Sequence, residues 1–219
     1  MELALLELEV LGGILRYYEV YGERTVKNKE LAKILEKSPS AISRALDSLR
    51  EKNLVEYKEY SGARLTEKGE RIAALYIRKH RLLETFLAKI LGMGMSEAHE
   101  EAKELSRVVS EKFISRIEAI LKNPTVDPHG NPIPSRNGTI KHMEDMPLSK
   151  LNTGDKAVVT RIPLEDKTLL DKFGGIGLVP GTEIVVKTVS PTGAMIIKFG
   201  ETEAALDMET ASMIRVRRR

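Results

Sequence analysis

Two histidines and one glutamate have the residue types and spacing that most clearly suggest chemistry. His80 and Glu84 are four residues apart, so a helix would place them on one face. His99 lies in the stretch AHEEAKELSR, where Lys103 and Arg107 would share its face if that stretch is helical. Imidazole and carboxylate groups bind divalent metals. The basic residues do not suit a metal, so three interpretations stand: a metal site, a former metal site, or an ordinary polar helix face.

A second candidate site follows from the order of elements near the start of the chain. NKELAKILEK predicts a short helix, and SPSAISRALDSLREKN predicts an amphipathic helix directly after it, with Ser38 as N-cap. LVEYKEY and ARLT predict two strands around a tight turn. Alone, the second helix could be a capped surface helix, but this order is typical of a winged helix-turn-helix. The expected DNA contacts are Ser38, Ser40, Ser43 and Arg44, with Lys58 and Arg64 in the wing.

The remaining elements predict an α+β chain with a helical middle and a β-rich end. A long helix is expected from about Glu67 to Leu91, followed by helical sequence to Lys122. These helices have dense apolar positions, and a twofold dimer would cover them. Residues 149–219 contain short β-rich runs between turns, which predict a small SH3-like β-barrel. Within them GGIGLVPG is interpreted as a turn, and the final RVRRR as a frayed basic tail.

The predicted domains follow these changes in pattern. Residues 1–72 form the winged helix-turn-helix, 73–140 a helical dimerisation and metal-binding domain, 141–148 a linker, and 149–219 the barrel.

Composition narrows the possible functions. The chain contains no cysteine, so any metal must be held by histidine, carboxylate, carbonyl or water. Its net charge of +3 permits nucleic-acid binding without establishing it. No apolar run approaches the ~20 residues of a membrane helix, and MELALLELEV carries acids where a secretory signal would not. We therefore expect a cytoplasmic protein with no membrane partner. No nucleophile–base constellation is present, so we do not expect an enzyme.

Several of these stretches resemble the iron-dependent repressor family, also called the diphtheria toxin repressor family. The residues that carry the resemblance are SPSAISRALDSLREKNLVEY, LTEKGERIAALYIRKHRLLETFLAKILGM and above all DPHGNPIP. LLDKFGGIGLVPGTEIVVKT is similar to the SH3-like barrel of FeoA-type domains. The resemblance implies a homodimer that binds a pseudo-palindromic operator when a divalent metal is present, and that typically represses metal-uptake genes.

The resemblance also implies two metal positions. The ancillary position matches His80, Glu84 and His99, with Glu165 as a further candidate ligand from the third domain. Such a set suits Mn, Fe, Co, Ni or Zn; its alternative is a hydrogen-bonded polar cluster beside the core. His129 and His142 are expected to be structural or exposed.

The primary metal position is altered in this chain. The family's ligands fall on Val10 (or Leu11), Lys103, Ser106 and Arg107, and the family's primary site is therefore expected to be absent. Lys103 and Arg107 could instead pair with Glu7, Glu9 or Glu104 and hold the first helix permanently, because arginine bridges carboxylates in a planar, bidentate manner. The alternative is that both are solvated charges.

Two functions follow. The first is a metal-dependent DNA-binding transcriptional regulator, a repressor of metal-uptake or metal-homeostasis genes, acting as a homodimer on a palindromic operator. The alternative is a regulator of the same fold that has lost its primary metal switch and is constitutive or senses another ligand.

Overall fold

The computed structural model describes residues 3–163, 167–190 and 193–219. The first unit contains three helices and a hairpin: α1 (Leu5–Tyr21), α2 (Asn28–Ile34), α3 (Pro39–Glu51), β1 (Val55–Lys58) and β2 (Gly62–Leu65). Ser38 Oγ accepts a hydrogen bond from the backbone N–H of Ala41, and Pro39 opens α3, as the sequence predicts. This is the expected winged helix-turn-helix order.

The middle unit is helical and is built around one long helix. Its elements are α4 (Glu67–Lys89), α5 (Met95–Val108) and α6 (Glu111–Ile120). The first half of α4 shares the core of the DNA-binding unit through Ala73, Ala74 and Ile77. The second half packs on α5 and α6 through Leu82, Leu83 and Leu87. His80 and Glu84 therefore lie where the two cores meet.

The C-terminal unit is a six-stranded antiparallel sheet with two short helices. In chain order it contains β3 (Met146–Pro147), β4 (Lys156–Arg161), α7 (Lys167–Ile176), β5 (Glu183–Val189), β6 (Ala194–Phe199), β7 (Thr202–Asp207), α8 (Met208–Met213) and β8 (Arg215–Arg218). The strand order is β3-β8-β4-β5-β6-β7. The α+β class is confirmed.

Three expectations for this unit need correction. Among the described residues β3 and β7 are edge strands, so the sheet is open and not a closed barrel. Closure requires the edge strands to hydrogen-bond to each other. The terminal RVRRR is not frayed, because β8 pairs with both β3 and β4. Helix α7 includes the first two glycines of GGIGLVPG, so only the second part of that stretch is a turn.

The Pro- and Gly-rich loop at 127–134 joins the helical unit to this sheet. The backbone N–H of Ile162, just after β4, donates to the carbonyl of His129 at 2.9 Å. Gly130 has a φ of +82°, and a Cβ there would lie 2.1 Å from the carbonyl oxygen of Thr160. Glycine is therefore required for this close approach.

Candidate metal centre and nucleic-acid interface

Three predicted ligands come together between α4 and α5. His80 and Glu84 are on α4, His99 is on α5, and all three side chains are buried. Their potential ligand atoms all lie within 4.8 Å of one another. The i, i+4 spacing on α4 and the packing of α5 against α4 produce this convergence.

One oxygen, Oε1 of Glu84, is the focus of the cluster. It lies 2.9 Å from Nδ1 of His99, 3.0 Å from Nε2 of His129 and 3.9 Å from Nε2 of His80. Nε2 of His80 and Nδ1 of His99 are 3.4 Å apart. Three imidazoles thus surround a single carboxylate oxygen.

His129 joins this cluster from the 127–134 loop. It was expected to be structural or exposed, and it is buried and bonded to Glu84, a contact that the sequence did not predict. Its other ring nitrogen, Nδ1, is buried without a hydrogen-bond partner. The available signal was a histidine inside DPHGNPIP, but spacing alone does not connect it to α4. His142 is exposed.

The electrostatics of the cluster favour an ionised Glu84 beside a neutral His80, whereas the hydrogen bond and charge of Glu84 outweigh burial and raise the pKa of His129. Burial raises the pKa of Glu84, but hydrogen bonds from His129 and His99 outweigh burial and hold the pKa well below its ordinary value. Burial, followed by the positive charge of Arg16, lowers the pKa of His80 well below its ordinary value. A neutral His80 next to an ionised Glu84 is the protonation state that metal binding requires.

A second buried carboxylate lies beside the cluster. Burial and the charge of Glu84 raise the pKa of Asp127 to about 6. Asp127 and His129 both line a cavity of about 30 Å³ together with His80, Glu84 and His99, which is room for one small occupant.

The donor set fits a divalent transition metal. Nitrogen and oxygen donors without sulfur suit Mn, Fe, Co, Ni or Zn. Nδ1 of His99 faces both Glu84 and Nε2 of His80. A cation among these atoms would therefore contact one donor from each of the three side chains. Glu165, the further candidate ligand, lies outside the described residues.

The residues expected at an altered primary metal position form a different arrangement. Val10 and Ser106 are buried, and Lys103 is exposed. Nη2 of Arg107 donates to Oε1 of Glu9 at 3.0 Å, and Nη1 donates to both carboxylate oxygens of Glu104 at 2.8 Å. Arg107 thus bridges α1 and α5.

Glu7, the other acid named for this pairing, has different partners. Oε1 of Glu7 accepts a hydrogen bond from Ser48 Oγ at 2.8 Å and one from Lys52 Nζ. This contact joins α1 to α3.

The candidate DNA-binding residues lie at the start of α3 and on the hairpin. Ser38, Ser40 and Arg44 are exposed, as are Lys58 and Arg64. Ser43 is half-buried and accepts a hydrogen bond from Asn28 Nδ2, so its hydroxyl is already engaged. Arg64 pairs with Glu56 across the hairpin.

Comparison with known proteins places these sites in a family. The chain matches models of the iron-dependent repressor N-terminal DNA-binding domain over residues 9–63, the iron-dependent repressor metal-binding and dimerisation domain over 66–135, and the FeoA domain over 146–218. The iron-dependent repressor IdeR of Mycobacterium tuberculosis is 31% identical over 198 residues, which cover 85% of this chain and 86% of that protein.

Solved structures give the same relationship. A manganese-dependent transcriptional repressor in complex with manganese has a TM-score of 0.88 at 30% identity, covering 97% of this chain and 100% of that chain. ScaR with bound Cd²⁺ has a TM-score of 0.84 at 26% identity, covering 96% and 98%. In the part of this chain that is described, no helix is long and apolar enough to cross a membrane.

These relatives are transcriptional repressors and not enzymes, and they do not favour the alternative of a regulator without a metal switch. The chain belongs to the iron-dependent repressor family of metal-dependent transcriptional regulators.

Proposed function

We propose that this protein is a homodimeric repressor whose binding to operator DNA depends on a divalent metal held at Glu84. The observation that carries the proposal is the convergence of three buried imidazoles on one carboxylate oxygen. His80, Glu84 and His99 would hold the metal, and the buried Nε2 of His129 adds a fourth donor. When bound, the cation supplies positive charge between the helical core and the 127–134 loop.

The choice of metal follows from the donors and the relatives. The names of two relatives specify iron and manganese, and a nitrogen–oxygen donor set accepts both. We therefore propose Fe²⁺ or Mn²⁺ as the physiological metal, with Co²⁺, Ni²⁺ and Zn²⁺ able to replace them. Cellular availability decides among such metals more than affinity does.

Arg107 supplies a permanent cation where the resemblance implies a second metal. Its ion pairs with Glu9 and Glu104 support the tether proposed from the sequence. Lys103 has no such role in this proposal, because its side chain is exposed. The Glu84 cluster would then be the part of the protein that responds to metal.

The DNA interface would use the exposed start of α3 and the wing. Ser40 and Arg44 would reach base edges, since both are exposed, and arginine can bind guanine in bidentate fashion. Ser38 would bind phosphate at the helix N-terminus, while Ser43 would hold Asn28 in position. Lys58 and Arg64 in the wing would contact phosphates.

Exposed apolar residues of the helical unit would form the dimer interface. Phe113 and Ile120 are seven residues apart on one face of α6, and Ile90 and Leu91 extend from the end of α4; each is about half exposed. A second copy of the chain would cover them, which a dimeric repressor requires for a palindromic operator. The regulated genes would serve metal uptake or homeostasis, and the protein would act in the cytoplasm.

Selection of DNA from a random duplex library tests this function. With Mn²⁺ present, the protein should enrich an inverted repeat whose half-sites are one helical turn, or a multiple of one turn, apart. Selection with a chelator should enrich the same repeat much less. Enrichment of no sequence, or of a single half-site, would contradict a metal-dependent dimeric repressor.

A further inference from the structure

Arg81 follows His80 on α4, and its guanidinium lies where three segments meet. Nη1 and Nη2 donate to the two carboxylate oxygens of Glu19 on α1, at 3.1 and 2.6 Å. Nη1 also donates to the carbonyl of Pro132 at 2.7 Å, and Nε lies 3.3 Å from Oδ2 of Asp127. The three charged side chains are at most 8% exposed, so water screens these contacts little.

Asp127 belongs at the same time to the loop that carries His129. Its Oδ1 accepts from the backbone N–H of Asn131 at 2.8 Å, and its Oδ2 from the Asn131 side chain at 3.2 Å. His129 in turn bonds Glu84. A movement of this loop around Glu84 would therefore also change the contact between Asp127 and the guanidinium of Arg81.

Helix α1 connects Arg81 to the DNA-reading helix. Glu19 is near the C-terminal end of α1, and Glu7, at its N-terminal end, accepts the hydrogen bond from Ser48 on α3. This contact couples the orientation of α1 to that of α3. Arg81 thus joins α1 to both α4 and the metal loop.

We infer that Arg81 is a positioning residue through which a cation at Glu84 fixes α1, and with it α3. The inference rests on the proposed function, because it needs a cation at that site. The metal-free cluster places three buried carboxylates, those of Glu19, Glu84 and Asp127, around Arg81 and Arg16. A divalent cation at Glu84 would reduce the negative charge of this cluster and draw on the charge of nearby Asp127, so that Asp127 would compete less with Glu19 for the guanidinium of Arg81. The bidentate pair with Glu19 then strengthens.

Hydrogen–deuterium exchange of the full-length protein, with and without Mn²⁺, tests the inference. In the wild type, Mn²⁺ should slow exchange both in the 127–134 loop and in α1. Glu19→Gln keeps the shape of the side chain but removes its charge. In this variant the slowing in α1 should fall by about tenfold, while the loop remains protected and the affinity for Mn²⁺ changes little.

Two outcomes would overturn the inference. Equal slowing of α1 in the wild type and in Glu19→Gln would show that the Arg81–Glu19 pair carries no coupling. Loss of Mn²⁺ binding by Glu19→Gln would show that the pair builds the metal centre itself. Glu23→Gln, which removes an exposed carboxylate just beyond α1, is the matched control and should behave as the wild type.

A second variant covers the case in which Glu19→Gln does not fold. Arg81→Lys keeps the charge but cannot bind both oxygens of Glu19 and Asp127 together, so Mn²⁺ should protect the loop but not α1. Full protection of α1 in Arg81→Lys would contradict the role of the guanidinium. The proposed function fails separately: if Mn²⁺ protects α1 in the wild type yet does not tighten DNA binding, Arg81 couples the two regions in a protein that is not a metal-dependent repressor.

Discussion

Besides its apolar packing, α5 takes part in two polar clusters, one around Glu84 and one around Arg107. They differ in the group that would supply positive charge to their carboxylates. At Glu84, three imidazoles and the nearby Asp127 line a cavity of about 30 Å³ that has room for a metal ion. At Arg107, the chain provides the cation, which bridges Glu9 on α1 and Glu104 on α5. One cluster is suited to receive an ion, and the other is complete without one.

If the proposed function holds, this difference would let a sensor with two metal positions become one with a single position while keeping its architecture. An arginine supplies a fixed charge and bidentate hydrogen bonds, so it can replace the structural effect of a bound metal. Its charge, unlike metal binding, does not depend on the metal concentration. Control by metal would then reside at Glu84 alone, and α1 would be held at two points, by Arg107 permanently and through Arg81 conditionally.

The largest effect on metal affinity is expected from substitution of Glu84 itself. Glu84→Gln keeps the side-chain shape but removes the charge that attracts a cation. Affinity for Mn²⁺, measured by titration calorimetry, should fall by more than about 100-fold, beyond the 10–100-fold loss that is typical of an outer-shell partner. Wild-type affinity for Mn²⁺ in Glu84→Gln would contradict a metal site at Glu84, and the two clusters would then not differ in this way.

Substitution of His129 tests whether this residue binds the metal or only supports the loop. His129→Asn removes the imidazole that bonds Oε1 of Glu84. Mn²⁺ affinity should fall by about 10–100-fold, while His142→Asn, which changes an exposed histidine, should leave it unchanged. If both variants bind Mn²⁺ equally well, His129 is a structural residue of the loop.

Acidification should destabilise the metal-free Glu84 cluster through His80. Because burial lowers the folded-state pKa of His80, the unfolded chain takes up the proton first, at pH values below about 6.5. His80 should therefore lower the free energy of unfolding as the pH drops below that value, by at most about 1.4 kcal/mol per pH unit for one proton, while the raised pKa of His129 acts in the opposite direction.

Urea unfolding of the metal-free protein at several pH values measures this loss. His80→Gln should make the loss of stability between neutral and mildly acidic pH shallower, whereas Arg107→Met should keep the wild-type slope, since arginine does not titrate there. An unchanged slope in His80→Gln would mean that His80 is not held neutral by the fold.

The smallest effects are expected at the Arg107 cluster. Arg107→Met should lower the free energy of unfolding by about 1 kcal/mol, because the ion pairs are partly solvent-exposed, and should leave Mn²⁺ affinity unchanged. Lys103→Met on the same helix should change stability by less than about 0.5 kcal/mol. Equal effects of the two substitutions would show that Arg107 is only a solvated charge.

Local patterns predicted much of this structure. The helix cap at Ser38 is a short-range contact, and its side chain accepts the expected hydrogen bond. The His80–Glu84 pair needs only helical spacing, and helix α5 brings His99 to it. The order of helices and hairpin likewise predicted the winged helix-turn-helix before any contact was known.

Long-range contacts explain what the sequence did not reveal. His129 reaches Glu84 because the loop turns at Gly130 and packs against the end of β4. No local sequence pattern predicts either contact. The closure of the C-terminal sheet depends on whether its edge strands meet, which alternation of apolar residues does not specify. Three acids were candidate partners for Lys103 and Arg107; packing brings Glu9 and Glu104 to Arg107 and joins Glu7 to α3 instead.

The most direct test is fluorescence anisotropy of the protein on the selected DNA duplex at fixed salt, because phosphate contacts make any affinity salt-dependent. One arm contains a strong chelator, and the others contain Mn²⁺ or Fe²⁺, each with the wild type and Glu84→Gln. We predict that metal tightens binding of the wild type and leaves Glu84→Gln at the chelator level. Equally tight, specific binding by the wild type in the chelator and metal arms would contradict a metal switch at Glu84.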